Sequence, residues 1–366
     1  MEQIKKGGIR YLKNCNLSFL KLVKKRSKRM KIFFILVLTL VLLASISVCV
    51  SAGANYHWRW SHYQPIDSIV DKISHAVVNE IEEKTDGRIK IDVYPASQLG
   101  DWMEVSEQIM RGSVEIGLLP VSPSYDARLQ VRVLPYSVMN YQEAKEAYLG
   151  DDPYLLKIME DIMEGVDLKA LSVVAQGFGG GGFANVPTVD VLDPATDKGG
   201  LKMRFPPGNQ AWENLVKSLG FSPTPVPWGE LYMALQTKLV DCQIGGQPYN
   251  TWTSFRDVVK CWVQYNTHFQ NSFIYMNLDI WNKLSEEDQI IIKEACMKQS
   301  LQSFEEARNE DAKYMEMMSD AGIKVIVPTD EQLAKISTMA RKQVWPLMDE
   351  IIGEEIMNEM RKHAGI

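Results

Sequence analysis

Residues 56–119 constrain the fold more than any other stretch, because three short apolar runs alternate there with two helical repeats. Tyr56-His-Trp-Arg-Trp60 alternates with the strand period of two. Ile66, Ile69, Val70, Ile73, Val77 and Ile81 then recur at helical spacing and stop at Asp86-Gly87, where the glycine suits a helix C-terminus. Residues 88–94 form a second alternating strand, a helix is expected from about Asp101 to Arg111, and residues 114–119 make a third, short apolar strand. Strands joined by helices of this length pair in parallel through right-handed crossovers, which predicts an open α/β sheet. Ligands of such sheets bind beyond the carboxyl ends of the strands. His62, Tyr63 and Gln64 after the first strand, and residues 120–122 after the third, therefore fall on the expected binding rim.

At 366 residues with 46% hydrophobic content, the chain is long enough for about two domains. The net charge of -6 conceals an asymmetry, since residues 1–31 carry eleven Lys or Arg and a single acid, Glu2. The remainder is strongly acidic, which excludes nucleic acid as an expected partner. A run of apolar residues from Ile32 to Ser47 follows the basic stretch and gives way to small residues, the organisation of a secretory signal. Residues 1–52 are thus expected to be a basic leader plus signal peptide, with cleavage after Ala52 or Ala54 and Met30 as an alternative start. The protein is expected to be periplasmic; a retained anchor and a lipid-anchored Cys49 are the competing readings, and valine before Cys49 fits the latter poorly. Beyond the leader, Cys242, Cys261 and Cys296 form an odd set without metal-ligand spacing, so buried free thiols are expected.

Later in the chain, Leu201-Lys-Met-Arg-Phe-Pro-Pro207 is an alternating strand that puts Arg204 near its end, just before two prolines stop the pairing. A helical segment through Trp212, Leu215 and Leu219 turns at Gly220, and a proline-stiffened strap, residues 223–227, delivers Trp228 to the start of another helix. Together with Glu230-x-Tyr232-x-Ala-Leu-Gln236, Val240-Asp241 and Asn266-Thr-His268, this stretch resembles the periplasmic substrate-binding subunit of tripartite ATP-independent periplasmic (TRAP) transporters, the DctP family. Residues 82–100 are similar to that family's N-terminal signature almost residue for residue, and the likeness runs from about Asn55 to the end.

The resemblance implies a two-lobed periplasmic-binding-protein fold, with an open mixed sheet in each lobe, a hinge, and a long helix spanning both. Lobe I is expected to comprise residues 53–176 and 267–310, and lobe II residues 177–266 and 311–366. It also implies a small organic acid as ligand, TRAP membrane permease subunits as partners, and no cofactor. Arg204 matches the arginine that pairs with the ligand's carboxylate, a task suited to a planar guanidinium that can meet both oxygens. Trp228 matches an aromatic position near the ligand, and Tyr63 lies on the rim. Gln176-Gly-Phe-Gly-Gly-Gly-Gly-Phe183 lacks the Lys-Ser/Thr of a phosphate loop and is read as a hinge or close backbone approach. A ligand-facing glycine wall is the second reading, and it brings Phe178 and Gly180 to the site.

Two departures bear on the ligand. Gly180 stands where some members carry a second arginine, and Gly245 follows Asp241-Cys-Gln-Ile where an asparagine is usual, with Gln247 as a replacement amide. One anion clamp with extra room beside it favours a small monoacid, with an apolar or aromatic remainder against a tryptophan, over C4 dicarboxylates and sialic acid, unless Arg59, Arg128 or Arg132 supplies the missing cation. A secreted enzyme on a similar scaffold, and a binding protein of another transport or sensing system, are the alternatives. The five histidines form no HExxH or metal-ligand cluster, no Gly-x-Ser-x-Gly elbow is present, and acidic pairs such as Glu82-Glu83 fall on exposed helix ends, so no catalytic or metal residue is assigned.

Overall fold

The alternating residues of β1 (Tyr56–Ser61) bury Trp58 and Trp60 on one face. The computed structural model describes residues 55–366; the leader, its cleavage sites, Cys15 and Cys49 lie outside the described residues. Ser68 caps α1 (Ile69–Lys84) by accepting the Asp71 N–H, and the stripe Val70, Ile73, Val77 and Ile81 packs on the sheet. β2 (Ile89–Tyr94) returns parallel to β1, with Ile91 opposite Trp58. After α2 (Trp102–Met110), capped by Asp101, β3 (Ile116–Leu119) lies parallel on the other side of β1. The parallel pairing expected from the alternation is present in these three strands. Two helices, α3 (Tyr141–Leu149) and α4 (Tyr154–Glu164), then lead into β4 (Leu168–Phe178), which is almost wholly buried.

A single residue, Gly179, separates β4 from the first strand of a second sheet, β5 (Gly180–Phe183). There follow β6 (Lys202–Phe205), α5 (Gln210–Ser218), β7 (Ser222–Pro225), α6 (Leu231–Gln236), β8 (Cys242–Gly246) and β9 (Cys261–Val263). The chain then returns: β10 (Phe269–Asn277) inserts between β3 and β4 and runs antiparallel to both. α7 (Glu286–Asp320), β11 (Lys324–Ile326), α8 (Asp330–Val344) and α9 (Glu354–Ala364) complete it. The strand orders are β2-β1-β3-β10-β4 and β11-β9-β5-β8-β6-β7, each mixing parallel and antiparallel pairs. The result is a two-lobed α/β fold.

α7 joins the lobes. At 35 residues it is about 52 Å long, and Ser285 caps it by accepting the Asp288 N–H. Near its start Asp288 pairs with Arg88 at 2.7 Å, and midway Ser303 accepts the Ala175 N–H of β4 at 3.0 Å. Near its end Met315 and Met318 join the core built around Leu231 and Leu235 of the second lobe. The C-terminal segments pack against both lobes, α8 on α5 and residues 349–352 on a helical turn at Ala127–Val133.

The two crossings between sheets lie side by side. Gly179 donates its N–H to the His268 carbonyl at 3.0 Å and accepts from the Thr267 N–H at 3.0 Å. A Cβ at residue 179 would stand 2.2 Å from His268 Cε1, so only glycine allows this approach. The rest of the glycine run is strand rather than loop, because Gly180–Gly182 pair with β8 on one side and Gly181–Gly182 with β9 on the other. Cys242 and Cys261 both sit opposite Phe183, one on each flank of β5. Two strand spacings, roughly 9–10 Å, separate them, beyond the reach of a disulfide, and all three described cysteines are buried free thiols.

Candidate functional site: a cleft between the lobes

Arg204 is carried by β6, flanked by β7 and β8, and is only 2% exposed. Its Nε donates to the Val226 carbonyl at 2.8 Å and its Nη1 to the Ile244 carbonyl at 3.4 Å. Those bonds aim the side chain while leaving Nη2 without an acceptor among the described residues. No carboxylate acts on it; burial alone pulls its pKa down to about 10, so it remains charged at neutral pH. A buried, unpaired cation costs several kcal/mol, a cost that an incoming anion removes. Arg204 lines a cavity of about 540 Å³ that adjoins a second of about 510 Å³, the two sharing Trp102, Trp228, Gly245 and Gln270. Residues of both lobes form the walls.

The strap of prolines ends at Trp228, whose ring lies 5.4 Å from the Arg204 guanidinium carbon and meets Phe255 edge-on. Trp228 is 41% exposed, so one face of the ring is open to the cleft. Tyr63 and Gln64, after β1, and Gln247, after β8, line the second cavity. The Gln247 amide has no protein partner among the described residues and is nevertheless nearly buried. Pro120 and Ser122, beyond β3, line the Arg204 cavity. The loops at the carboxyl ends of β1 and β3 thus meet the site, as open α/β sheets require.

Gly245 also lines the cleft, but the room expected beside it is filled. Its φ is +106°, and a Cβ there would stand 2.2 Å from Trp212 Cζ3, so the indole of α5 occupies the space an asparagine would need. Trp212 donates Nε1 to the Val133 carbonyl at 3.0 Å and rests on His268, ring centres 4.5 Å apart. Phe178 and Gly180 are placed elsewhere. Phe178 is buried among Tyr141 and Phe269, and a Cβ on Gly180 would strike Trp262 at 2.4 Å; neither residue reaches the lining of the two cavities. A period-two strand buries both faces here, so the glycine wall faces protein.

Several lining residues carried no motif in the sequence. Trp102 and Trp212 lie on amphipathic helices, where an aromatic reads as core. Gln270 follows the second crossing and bonds His268 Nε2 at 3.0 Å. Arg132, in the 127–133 turn, was marked only by being a cation among the buried positions Leu129, Val131 and Val133. His268 itself is held neutral: burial pushes its pKa down to about 3, the nearby Arg132 charge acts the same way, and the Gln270 bond opposes both. Asp101, the acid in the lining of these cavities, is engaged in capping α2. The cleft therefore presents cations, amides and aromatic faces, a surface suited to holding an organic anion. A smaller cavity of about 280 Å³ on the outer face holds Arg341 and His363, both already bonded, to the Tyr136 carbonyl and to Glu359.

Comparison with known proteins agrees with the fold. Residues 60–350 match the family described as bacterial extracellular solute-binding protein, family 7 (DctP). The sialic acid-binding periplasmic protein SiaP of Vibrio cholerae is 24% identical over 286 residues, 78% of this chain and 85% of that protein. Two crystal structures of TRAP periplasmic solute-binding proteins superpose on the fold. One, from Ochrobactrum anthropi, has a C-terminus bound in the ligand-binding pocket (TM-score 0.74, 21% identity, 85% of this chain and 95% of that one). The other, from Desulfovibrio salexigens, holds orotic acid (TM-score 0.73, 18% identity, 84% and 98%). With four-fifths of its length matched by the family's pattern and the same two-lobed architecture, this chain belongs to the DctP family of bacterial extracellular solute-binding proteins.

Proposed function

We propose that this protein is the extracytoplasmic receptor of a TRAP-type transporter, which captures a small organic acid in the cleft and delivers it to a membrane permease. The observation that carries the reading is Arg204: a nearly buried, charged guanidinium with an unused edge, lining an inter-lobe cavity and facing no carboxylate. Such a group is costly in the empty cleft and matched by a carboxylate, which can accept two parallel N–H bonds from it. Trp228 and Trp212 supply apolar walls, and the Gln247 amide and Tyr63 supply polar contacts for the rest of the solute. The relatives named for sialic acid and crystallised with orotic acid support an acid as the ligand class.

Release and capture follow from the paired crossings. Bending at Gly177–Gly179 and at residues 264–268 moves one lobe against the other, sealing a solute held by side chains from both. A permease that recognises the closed form would accept the solute and carry the energy coupling itself. The basic and apolar leader supports export to the periplasm. Native mass spectrometry of the exported protein is expected to show a co-purified small acid that is recovered chemically unchanged. A bound solute without an acidic group, or conversion of the acid on incubation, would refute the proposal.

A further inference from the structure

Gly180 and Gly245 leave this cleft without the second cation and the amide that the wider resemblance calls for, and three arginines could replace the cation. Two of them are neutralised. Arg59, at an exposed position within β1, is bonded to Glu115 through Nη2 at 2.9 Å and Nε at 3.2 Å, and Arg128 is bonded to Asp126 at 2.6 Å. Arg132 is not. It lines the same cavity as Arg204, but from the opposite lobe, on the turn that packs beside β10. Its Nη1 donates to the Asn271 carbonyl at 2.8 Å, and its Nε is buried with no acceptor among the described residues. Burial lowers its pKa, and the titratable groups that oppose the shift are the phenols of Tyr148, Tyr63 and Tyr275, with no carboxylate among them. Beside it the Gln130 Oε1 is likewise buried without a partner, in a residue that lines the same cavity.

We infer that Arg132 is the second anion-binding residue of the cleft, so that the solute is a small dianion, typified by a dicarboxylate, held at one end by Arg204 and at the other by Arg132. This rests on the acid-receptor reading and narrows it. Each of these two cations faces the cavity without a carboxylate partner and keeps N–H groups that have no acceptor among the described residues, so a single carboxylate would satisfy one and leave the other. A solute with an anion at each end satisfies both. It also ties the lobes together, because Arg132 belongs to the first and Arg204 to the second: closure then requires both ends to be engaged. The expectation of a monoacid from the two glycines is thereby reversed, since the missing cation comes from a segment that carries no motif.

Calorimetry with matched pairs of acids tests this, each pair differing only in the second carboxylate: butyrate and succinate, pentanoate and glutarate, benzoate and isophthalate. Wild type is expected to bind the dicarboxylate of at least one pair about tenfold or more tighter than its partner. Arg132→Gln should erase that preference by costing the dicarboxylate about tenfold or more beyond any loss in its monocarboxylate partner, Arg132→Lys should restore part of it, and Arg204→Gln should weaken both members. Circular dichroism melts of each variant establish folding. A dicarboxylate preference unchanged in Arg132→Gln, equal loss of both members, or monocarboxylates binding tighter to wild type would overturn the role of Arg132 while leaving the acid receptor standing on Arg204. Absence of heat with every acid alongside binding of an uncharged solute would overturn the acid reading as well.

Discussion

Asp311, three-quarters of the way along the interlobe helix α7, accepts the backbone N–H of Phe178 at 2.9 Å, at the last residue of β4 before the chain crosses to the second lobe. Tyr141 donates its hydroxyl to the same oxygen. Gly177 makes the approach possible: its φ is +104°, and a Cβ there would stand 2.5 Å from Asp311 Oδ1. A carboxyl group is thus inserted into the hinge itself.

Burial raises the pKa of Asp311 to about 7, outweighing the two hydrogen bonds that favour its charged form; the neighbouring Glu310 adds to the rise. An unfolded aspartate titrates near 4. Between these values the folded protein keeps a proton that the unfolded chain has lost, so this group's contribution is fully present below pH ~4 and is lost as pH rises through about 7. The whole effect is at most about 4 kcal/mol. Asp311→Asn, which mimics the protonated form and keeps an acceptor for the Phe178 N–H, should gain stability relative to wild type as pH rises from 5 to 8. Buried His62 and His268 have lowered pKa values and act in the opposite direction in both proteins, so the difference between the two urea-melt series isolates Asp311. A difference that does not change with pH would count against a titrating hinge carboxyl.

Arg204→Ala should weaken binding of the acid solute by about 2–5 kcal/mol, since it removes the buried partner of a carboxylate. Arg204→Lys keeps the charge but loses the two-pronged geometry, and should fall between. Isothermal titration reads both, and wild-type affinity in a folded alanine variant would remove Arg204 from the site.

Gly245→Ala combines a backbone in the left-handed region with a Cβ 2.2 Å from the Trp212 ring. The variant should lose about 1–3 kcal/mol of stability and, because Trp212 must shift within the cavity wall, should also bind solute more weakly. Denaturant midpoints and titration together check it. A variant with unchanged midpoint would mean that the indole has room to move that the packing on His268 and Val133 denies.

Exported protein should begin after Ala52 or Ala54, where the apolar run gives way to small residues. Intact-mass measurement on protein recovered from the cell envelope decides it. Retention of residues 32–50 would show an anchor, and a lipid adduct on Cys49 a lipoprotein.

Local chemistry made a good part of this protein legible. Strand and helix periods announce which faces are buried, which is why the stripe Val70, Ile73, Val77 and Ile81 could be read directly. Strand period and prolines place Arg204 as a cation at a strand end, but its role as a carboxylate partner came only from the family resemblance. Periodicity does not say what a buried face meets. That β10 slips between β3 and β4, that Gly180 backs onto Trp262, that Trp212 fills the notch at Gly245, and that Glu115 neutralises Arg59 from 56 residues away are consequences of topology. The same holds for Arg132. A cation set between Val131 and Val133 is an oddity in one dimension, and only the packing of that turn beside β10 puts it in the cavity with Arg204. The reason is that the cost of a buried charge depends on partners brought together from distant parts of the chain.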